Sequence, residues 1–296
     1  MRDVVIVGGG PAGLAAALVF GRSRKRVTLF DAGEARNAAS EHVHGFLSRD
    51  GVKPSELRAI ARAELARYSG VEVRDARVLS IEKREPFVVH TDREKVEARR
   101  VLLCVGLLDE LPQLAGMTAC WGKSVLHCPY CHGWECREKH LGFLPRTETE
   151  LDFALLLRGW TDRLTVFSNG VKLDAEMKAD FETAKIRVDE RRVVGLRSEG
   201  CDLRAVQVEG GEVAIDNLFV HPVQRQTPVV AALGLRMLDE NSVWVDEHGE
   251  TSAPGIYAAG DLTTPIHGAL LAAAAGAAAA YKLNTALTKS SMREKR

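Results

Sequence analysis

The sequence predicts an α/β protein built from two doubly wound domains, one of them discontinuous. Three observations lead to that class. An apolar strand runs into a glycine loop and a helix at the start of the chain. Strands and helices alternate through the middle, and a second glycine-bearing strand end precedes an alanine-rich helix near the C-terminus. The 296 residues are enough for two domains of ordinary size.

The first element is Val4-Val5-Ile6-Val7, followed by Gly8-Gly9-Gly10-Pro11-Ala12-Gly13 and the apolar helix Leu14 to Phe20. This is strand, GxGxxG, helix, and each part has a task. Gly8 permits the tight turn, Gly10 lets backbone approach a pyrophosphate, and Gly13 lets helix and strand pack closely. The helix start, with Pro11 and Ala12, offers unpaired N–H groups to phosphate. A second strand, Arg26 to Phe30, ends in Asp31, placed to accept ribose hydroxyls. The motif marks a Rossmann-like dinucleotide site without separating FAD from NAD. Glu56 to Tyr68 has the Leu57, Ile60, Ala61 and Leu65 spacing of an amphipathic packing helix.

Composition narrows the class further. Hydrophobic residues make up 46% and charged residues 27%, and 40 basic residues balance 40 acidic ones. That balance gives no reason to expect nucleic acid or an anionic membrane as partner. The most apolar run, Ala269 to Tyr281, falls short of the roughly 20 residues that span a bilayer. The start of the chain reads as a buried strand, not a signal peptide, so cytoplasmic, reduced thiols are expected. The tail from Lys289 to Arg296 is polar and reads as a frayed end.

The stretch HCPYCHGWEC, His127 to Cys136, holds three of the six cysteines and two of the nine histidines. It admits a metal site or a redox pair. Zinc would draw on Cys128, Cys131, Cys136 and His127 or His140, but zinc modules usually pair two chelating motifs and only one CxxC is present. No metal is therefore expected. A CxxC at a helix start, with Pro129 at the first helical position, lowers the leading thiol's pKa as thiol–disulfide exchange requires. A Cys131–Cys136 pairing is the other redox alternative.

Three further stretches carry a family resemblance. Thr251 to Asp261, TSAPGIYAAGD, resembles the second FAD motif of the two-dinucleotide-domain flavoprotein disulfide reductases. Val101 to Gly106, VLLCVG, is similar to the strand by which such chains leave the FAD domain, with Cys104-Val105-Gly106 replacing the usual Ala-Thr-Gly. Cys128-Pro129-Tyr130-Cys131 stands where low-molecular-weight thioredoxin reductases carry their redox pair, followed by the same Cys-x-Gly-x-Glu pattern. The chain resembles that family over essentially its whole length, most closely the dithiol oxidoreductases with histidine after the second cysteine.

The resemblance implies FAD as cofactor, with Gly106, Gly260 and Asp261 at its site. It also implies that a helix starting near His267-Gly268-Ala269 points at the flavin ring. It places Cys131 toward the flavin, Cys128 toward the substrate, and makes His132 the proton carrier. It implies a homodimer and either a small dithiol or disulfide or a thioredoxin-like protein as partner. His44 in Glu41-His42-Val43-His44-Gly45 is either an ordinary surface histidine or one that approaches flavin or substrate.

The family pattern breaks after the CxxC. Leu141-Gly142-Phe143-Leu144 is followed by Pro145-Arg146-Thr147-Glu148-Thr149-Glu150, without a second glycine loop, before a helix expected over about 150–159. The next strand, Leu164 to Phe167, lacks clustered arginines, so use of NADPH is doubtful. Arg146, Arg158 and Arg163 are the residues that would have to compensate. The expected organisation is an FAD domain at 1–113 and 237–296 and an inserted pseudo-NADPH domain at 114–236. Three functions follow: a dithiol oxidase, a disulfide reductase fed by NADPH or by another donor such as reduced ferredoxin, or a flavin-binding protein with structural zinc.

Overall fold

A computed structural model describes residues 1–293 of the chain. It separates into two compact units: Met1–Ala38, Gly45–Leu108 and the chain from Gln224 onward form the first, Ala39–His44 and Asp109–Val223 the second. These boundaries differ from those expected. Residues 224–236 join the first unit because Val229, Val230, Leu233 and Leu235 bury against Val78, Ile81, Phe87 and Val89. Residues 109–113 join the second, where Leu111 packs beside Met117, Leu196 and Val206. The assignment of 39–44 to the second unit had no counterpart in the sequence pattern.

In the first unit, Val71–Asp75, Val27–Asp31, Arg2–Val7 and Lys95–Leu103 lie parallel in that order. Val4, Val5 and Ile6 are wholly buried, as a parallel strand covered on both faces requires. Lys95–Leu103 splits its free edge. Its first half pairs antiparallel with Phe87–Thr91, which pairs with Val78–Glu82; its second half receives Ile256–Ala258 in parallel. The amphipathic helix runs Pro54–Leu65, with Leu65 buried.

The C-terminal helix is longer than the apolar run suggested, extending over Ala269–Arg293. By length and composition it is long and apolar enough to cross a membrane. Its Ala279, Ala280, Leu283 and Leu287 are instead packed into one core with Ala12, Ala16, Ala17 and Phe20 of the first helix, Pro11–Arg22. The expected frayed tail is helical from Lys289 to Arg293, and its remainder lies outside the described residues.

The second unit repeats the plan. Arg187–Asp189, Arg163–Phe167, His140–Leu144, Asn217–Val220 and Val125–Leu126 form a parallel sheet in that order. Val193–Glu199, Asp202–Val208 and Gly211–Ala214 add an antiparallel meander. A helix runs Ala175–Thr183, capped by Asp174, whose carboxylate accepts from the Met177 N–H at 2.7 Å.

The closest packing in the first unit is backbone on backbone. A Cβ built on Gly276 would lie 2.0 Å from the Ala12 carbonyl oxygen, and one on Gly13 would lie 1.9 Å from that of Gly8. Gly276→Val is therefore expected to destabilise by at least the roughly 1–3 kcal/mol of an overpacked core, despite the better helix propensity of valine. Ala278→Val, on an exposed position of the same helix, should cost only about 0.5 kcal/mol. Thermal denaturation of the two variants checks this, and equal midpoints would contradict the close contact.

Candidate active site

The glycine loop of the first unit is built as a phosphate cradle. Gly8 has φ +113°, and a Cβ there would sit 2.3 Å from the Cys104 carbonyl oxygen. Gly10 caps the first helix without any side-chain cap, Pro11 occupies the first turn, and the space at the Gly10 Cβ position is open. The helix thus presents free N–H groups and its positive dipole end to an anion. Gly106 (φ +62°) also faces open space, and Gly260 (φ +81°) fits against Ala12, where a Cβ would lie 2.9 Å from the alanine methyl carbon.

Three arginines that the motif reading passed over complete this site. Asp31 holds Arg58 at 2.6 Å and Arg62 at 3.4 Å, and its other oxygen accepts the Gly33 N–H at 2.9 Å. Arg36 reaches Asp261 at 2.9 Å and lies 3.0 Å from Nδ1 of His267. His267 and Gly268 precede the C-terminal helix, which begins at Ala269. Cys104 is buried, and that burial pushes its thiol pKa upward. A dinucleotide's pyrophosphate and ribose fit this donor set: bare glycine backbone, an uncapped helix start and an acid at a strand tip. FAD would be held by Gly8 to Gly13, Asp31, Gly106, Gly260 and Asp261.

The redox pair lies in the second unit. Val125–Leu126 delivers His127 and Cys128 to the start of a helix spanning Pro129–Cys136, with Cys128 as N-cap. Cys128 and Cys131 form a disulfide with a Cα separation of 5.3 Å, inside the usual range. Gly133 is required by the neighbouring Trp160, since a Cβ would come within 2.7 Å of the indole nitrogen. Cys136 is 3% exposed, and burial raises its thiol to about 11. With Cys131 bonded to Cys128, Cys136 is left as a buried free thiol. Among the described residues no group of three or more His, Cys, Asp or Glu is arranged to hold a metal ion.

His132 sits among residues brought in by Ala39–His44. Ser40 Oγ lies 3.5 Å from His132 Nε2, and the His44 ring stands edge-on to His132 at 6.4 Å between centroids. His42 follows at 5.9 Å from His44, and His44 Nε2 lies 3.6 Å from Glu135. Burial lowers the His132 pKa below its ordinary 6.5, and the charge of His44 lowers it further; Glu135 opposes both. His132 is thus shifted toward its neutral form.

The carboxyl end of His140–Leu144 in the second unit carries a polar network of its own. Beyond Leu144 the chain makes a turn at Glu148–Glu150 and a short helix, Asp152–Leu157, in place of the longer helix expected. Glu150 accepts from the Arg146 backbone N–H at 2.7 Å and its guanidinium at 2.8 and 3.0 Å, and lies 3.6 Å from His221 Nδ1. Burial resists ionisation of Glu150, but His221 and Arg146 outweigh it and hold the carboxyl down at about 2. Glu150 is therefore a partnered carboxylate. His221 packs on Phe153 at 4.4 Å and on His127 at 5.4 Å. Arg158 is bound to the Ala184 and Thr161 carbonyls and to Asp162, and Arg163 to the Glu138 carbonyl.

The residues expected to hold FAD and the three expected to be catalytic, Cys128, Cys131 and His132, thus lie in different units. The family model for pyridine nucleotide-disulphide oxidoreductases matches residues 2–141 and 161–280. A probable thioredoxin reductase from Arthroderma benhamiae is 37% identical over 59% of this chain, which covers 45% of that protein's length. Thioredoxin reductase tcpT of Claviceps purpurea is 31% identical, the match covering 88% of this chain and 86% of that one. The crystal structure of HlmI superposes with a TM-score of 0.93 at 37% identity, covering 99% of this chain and 95% of the other. With a CxxC disulfide and a glycine cradle already in place, this extent of likeness settles the family: the chain belongs to the pyridine nucleotide-disulphide oxidoreductases, as a thioredoxin reductase-like, FAD-dependent disulfide oxidoreductase.

Proposed function

We propose that the chain is a dithiol oxidase that closes a disulfide in a small substrate and does not draw on NADPH through a standard site. The observation that carries this choice over an NADPH-fed reductase is the Arg146–Glu150–His221 network. It stands where a second pyrophosphate would need bare glycine backbone and an open helix start. All three arginines available to compensate are already engaged within the unit, and a surface ion pair contributes only about 0–1 kcal/mol. Similarity to thioredoxin reductases favours the NADPH-dependent reading; the Arg146–Glu150–His221 network opposes it.

In this reading neutral His132 takes the proton of a substrate thiol. The substrate thiolate attacks Cys128 Sγ, breaking the Cys128–Cys131 bond and leaving the electron pair on Cys131 Sγ. The second substrate thiolate then attacks its neighbour in the mixed disulfide, closing the substrate ring and releasing Cys128. Two electrons and two protons have left the substrate, and the enzyme pair is a dithiol. Bound FAD supplies the two-electron acceptor that restores the disulfide, with oxygen as the terminal oxidant. A cytoplasmic homodimer is the working form this reading assumes.

Anaerobic dithionite titration of the yellow protein should consume about four electrons per chain, two for each centre. Cys128→Ser or Cys131→Ser should lower the uptake to about two, and Cys136→Ser should leave it unchanged. Uptake of two by the wild type would mean that the cysteine pair is not redox-active.

The choice of donor is tested by anaerobic mixing. Dithiothreitol should bleach the flavin within seconds, with the colour returning when oxygen is admitted, while equimolar NADPH leaves the protein yellow over the same interval. Rapid bleaching by NADPH would restore the reductase reading.

A further inference from the structure

Arg36 joins two stretches of the first unit that lie far apart in the sequence. It stands shortly beyond Asp31, where the chain leaves the strand Val27–Asp31. Its Nη1 donates to Asp261 Oδ2 at 2.9 Å, 225 positions away, and lies 3.0 Å from Nδ1 of His267. The Arg36 and Asp261 side chains are only 19% and 21% exposed, so salt screens this ion pair less than one on the open surface.

The chemistry of the guanidinium decides where the imidazole hydrogen sits. Arginine has N–H donors and no acceptor, and it does not lose its charge in a protein. A ring nitrogen 3.0 Å from Nη1 must therefore accept, so Nδ1 of His267 carries no hydrogen. The ring hydrogen is then on Nε2. Asp239 lies within electrostatic reach of the same ring, its carboxylate satisfied by the Asn241 and Ser242 N–H groups at 2.8 and 2.6 Å. A carboxylate there favours a hydrogen on the ring, and Nε2 is the nitrogen left to carry it.

We propose that Arg36 is a positioning residue for FAD: one guanidinium orients the Asp261 carboxylate and locks His267 as the neutral tautomer with its hydrogen on Nε2. Both partners are among the residues expected to hold the cofactor, and the proposal rests on that placement; it is independent of the electron donor. An unpaired carboxylate in a site that takes a pyrophosphate would repel it. Arg36 offsets that charge while leaving Asp261 the lone pairs to accept hydroxyl groups. His267 adds a hydrogen-bond donor ahead of the C-terminal helix, which begins at Ala269, without adding charge. No bond forms or breaks, and no proton is transferred.

The test uses the full-length holoprotein and the apoprotein prepared from it. Long-range proton–nitrogen correlation NMR on labelled histidines reads the tautomer, with the His267 signals assigned by their loss in His267→Gln. In the wild type Nε2 should carry the hydrogen and Nδ1 should resonate as a bare ring nitrogen. In Arg36→Met, which frees Nδ1, the ring should exchange between both tautomers. FAD titrated into apoprotein should bind about ten- to a hundredfold more weakly in Arg36→Met, the range for a lost charge-assisted hydrogen bond. Arg36→Lys, which returns the cation, should recover most of that loss. Asp261→Ala separates two kinds of failure. Affinity unchanged in both Asp261→Ala and Arg36→Met overturns the placement of Asp261 at the cofactor, and the proposal with it. Weakening in Asp261→Ala with none in Arg36→Met overturns the proposal alone. So does equal weakening in the methionine and lysine variants, or a wild-type His267 with its hydrogen on Nδ1. Should Arg36→Met fold poorly by circular dichroism, Arg36→Gln supplies the uncharged comparison.

Discussion

The first unit depends on a contact that contains no side chain. The start of the first helix is pressed from two directions, with Gly13 against the Gly8 carbonyl and Gly276 against that of Ala12. Gly8 in turn abuts the Cys104 carbonyl, and Gly260 abuts Ala12. Strand, loop, helix and C-terminal helix therefore meet where any added methyl group would force them apart. Because the side chains are missing, the helix N–H groups face open space instead of a cap. The demand of close packing and the demand of an anion site are met by the same glycines, which is why neither can be relaxed alone.

The second unit has the same parallel-sheet plan and the opposite local chemistry. At the carboxyl end of His140–Leu144 it carries a proline, an arginine and two glutamates, and the space is taken by Glu150 with Arg146 and His221. Such a network is self-satisfied: the carboxylate has its donors, and the imidazole is braced by Phe153 and His127. Removing one partner to admit a phosphate would leave a half-buried charge unpaired, which costs more than a surface ion pair returns. What remains is a rigid frame for the helix that begins at Cys128.

Some of this was legible in the chain itself. The fold class follows from local patterns, since GxGxxG, the strand period and the alanine-rich run each specify their element from neighbouring residues alone. The CxxC and its helix start are likewise local, and Pro129 announces the first turn. What escaped depends on packing between distant residues. Gly276 stands among alanines and looks like one more small residue; only its approach to Ala12 makes it indispensable. Residues 224–236 looked like a continuation of the inserted domain until Val229, Val230 and Leu233 were seen to bury under the first unit's meander. The arginines around Asp31 and Asp261 come from helix and loop positions with no motif of their own. The contact of Glu150 with His221 depends on a pairing 71 positions apart in the sequence.

The redox helix shows how a reaction can be tuned by what surrounds a short motif. Its N-cap geometry and Pro129 favour a thiolate at Cys128 when the disulfide opens. Thiol exchange also needs a site for the substrate's proton, and here the residue after Cys131 is an imidazole that burial keeps neutral. A carboxylate in that place would be ionised at neutral pH and a weak base; a fully solvated histidine would sit near its own midpoint. Placing His132 partly out of solvent, with a second histidine at its edge, shifts it toward the form that accepts a proton, and Glu135 one turn away tempers that shift. The direction of that tuning suits oxidation of a dithiol, where the first event is loss of a proton from the substrate.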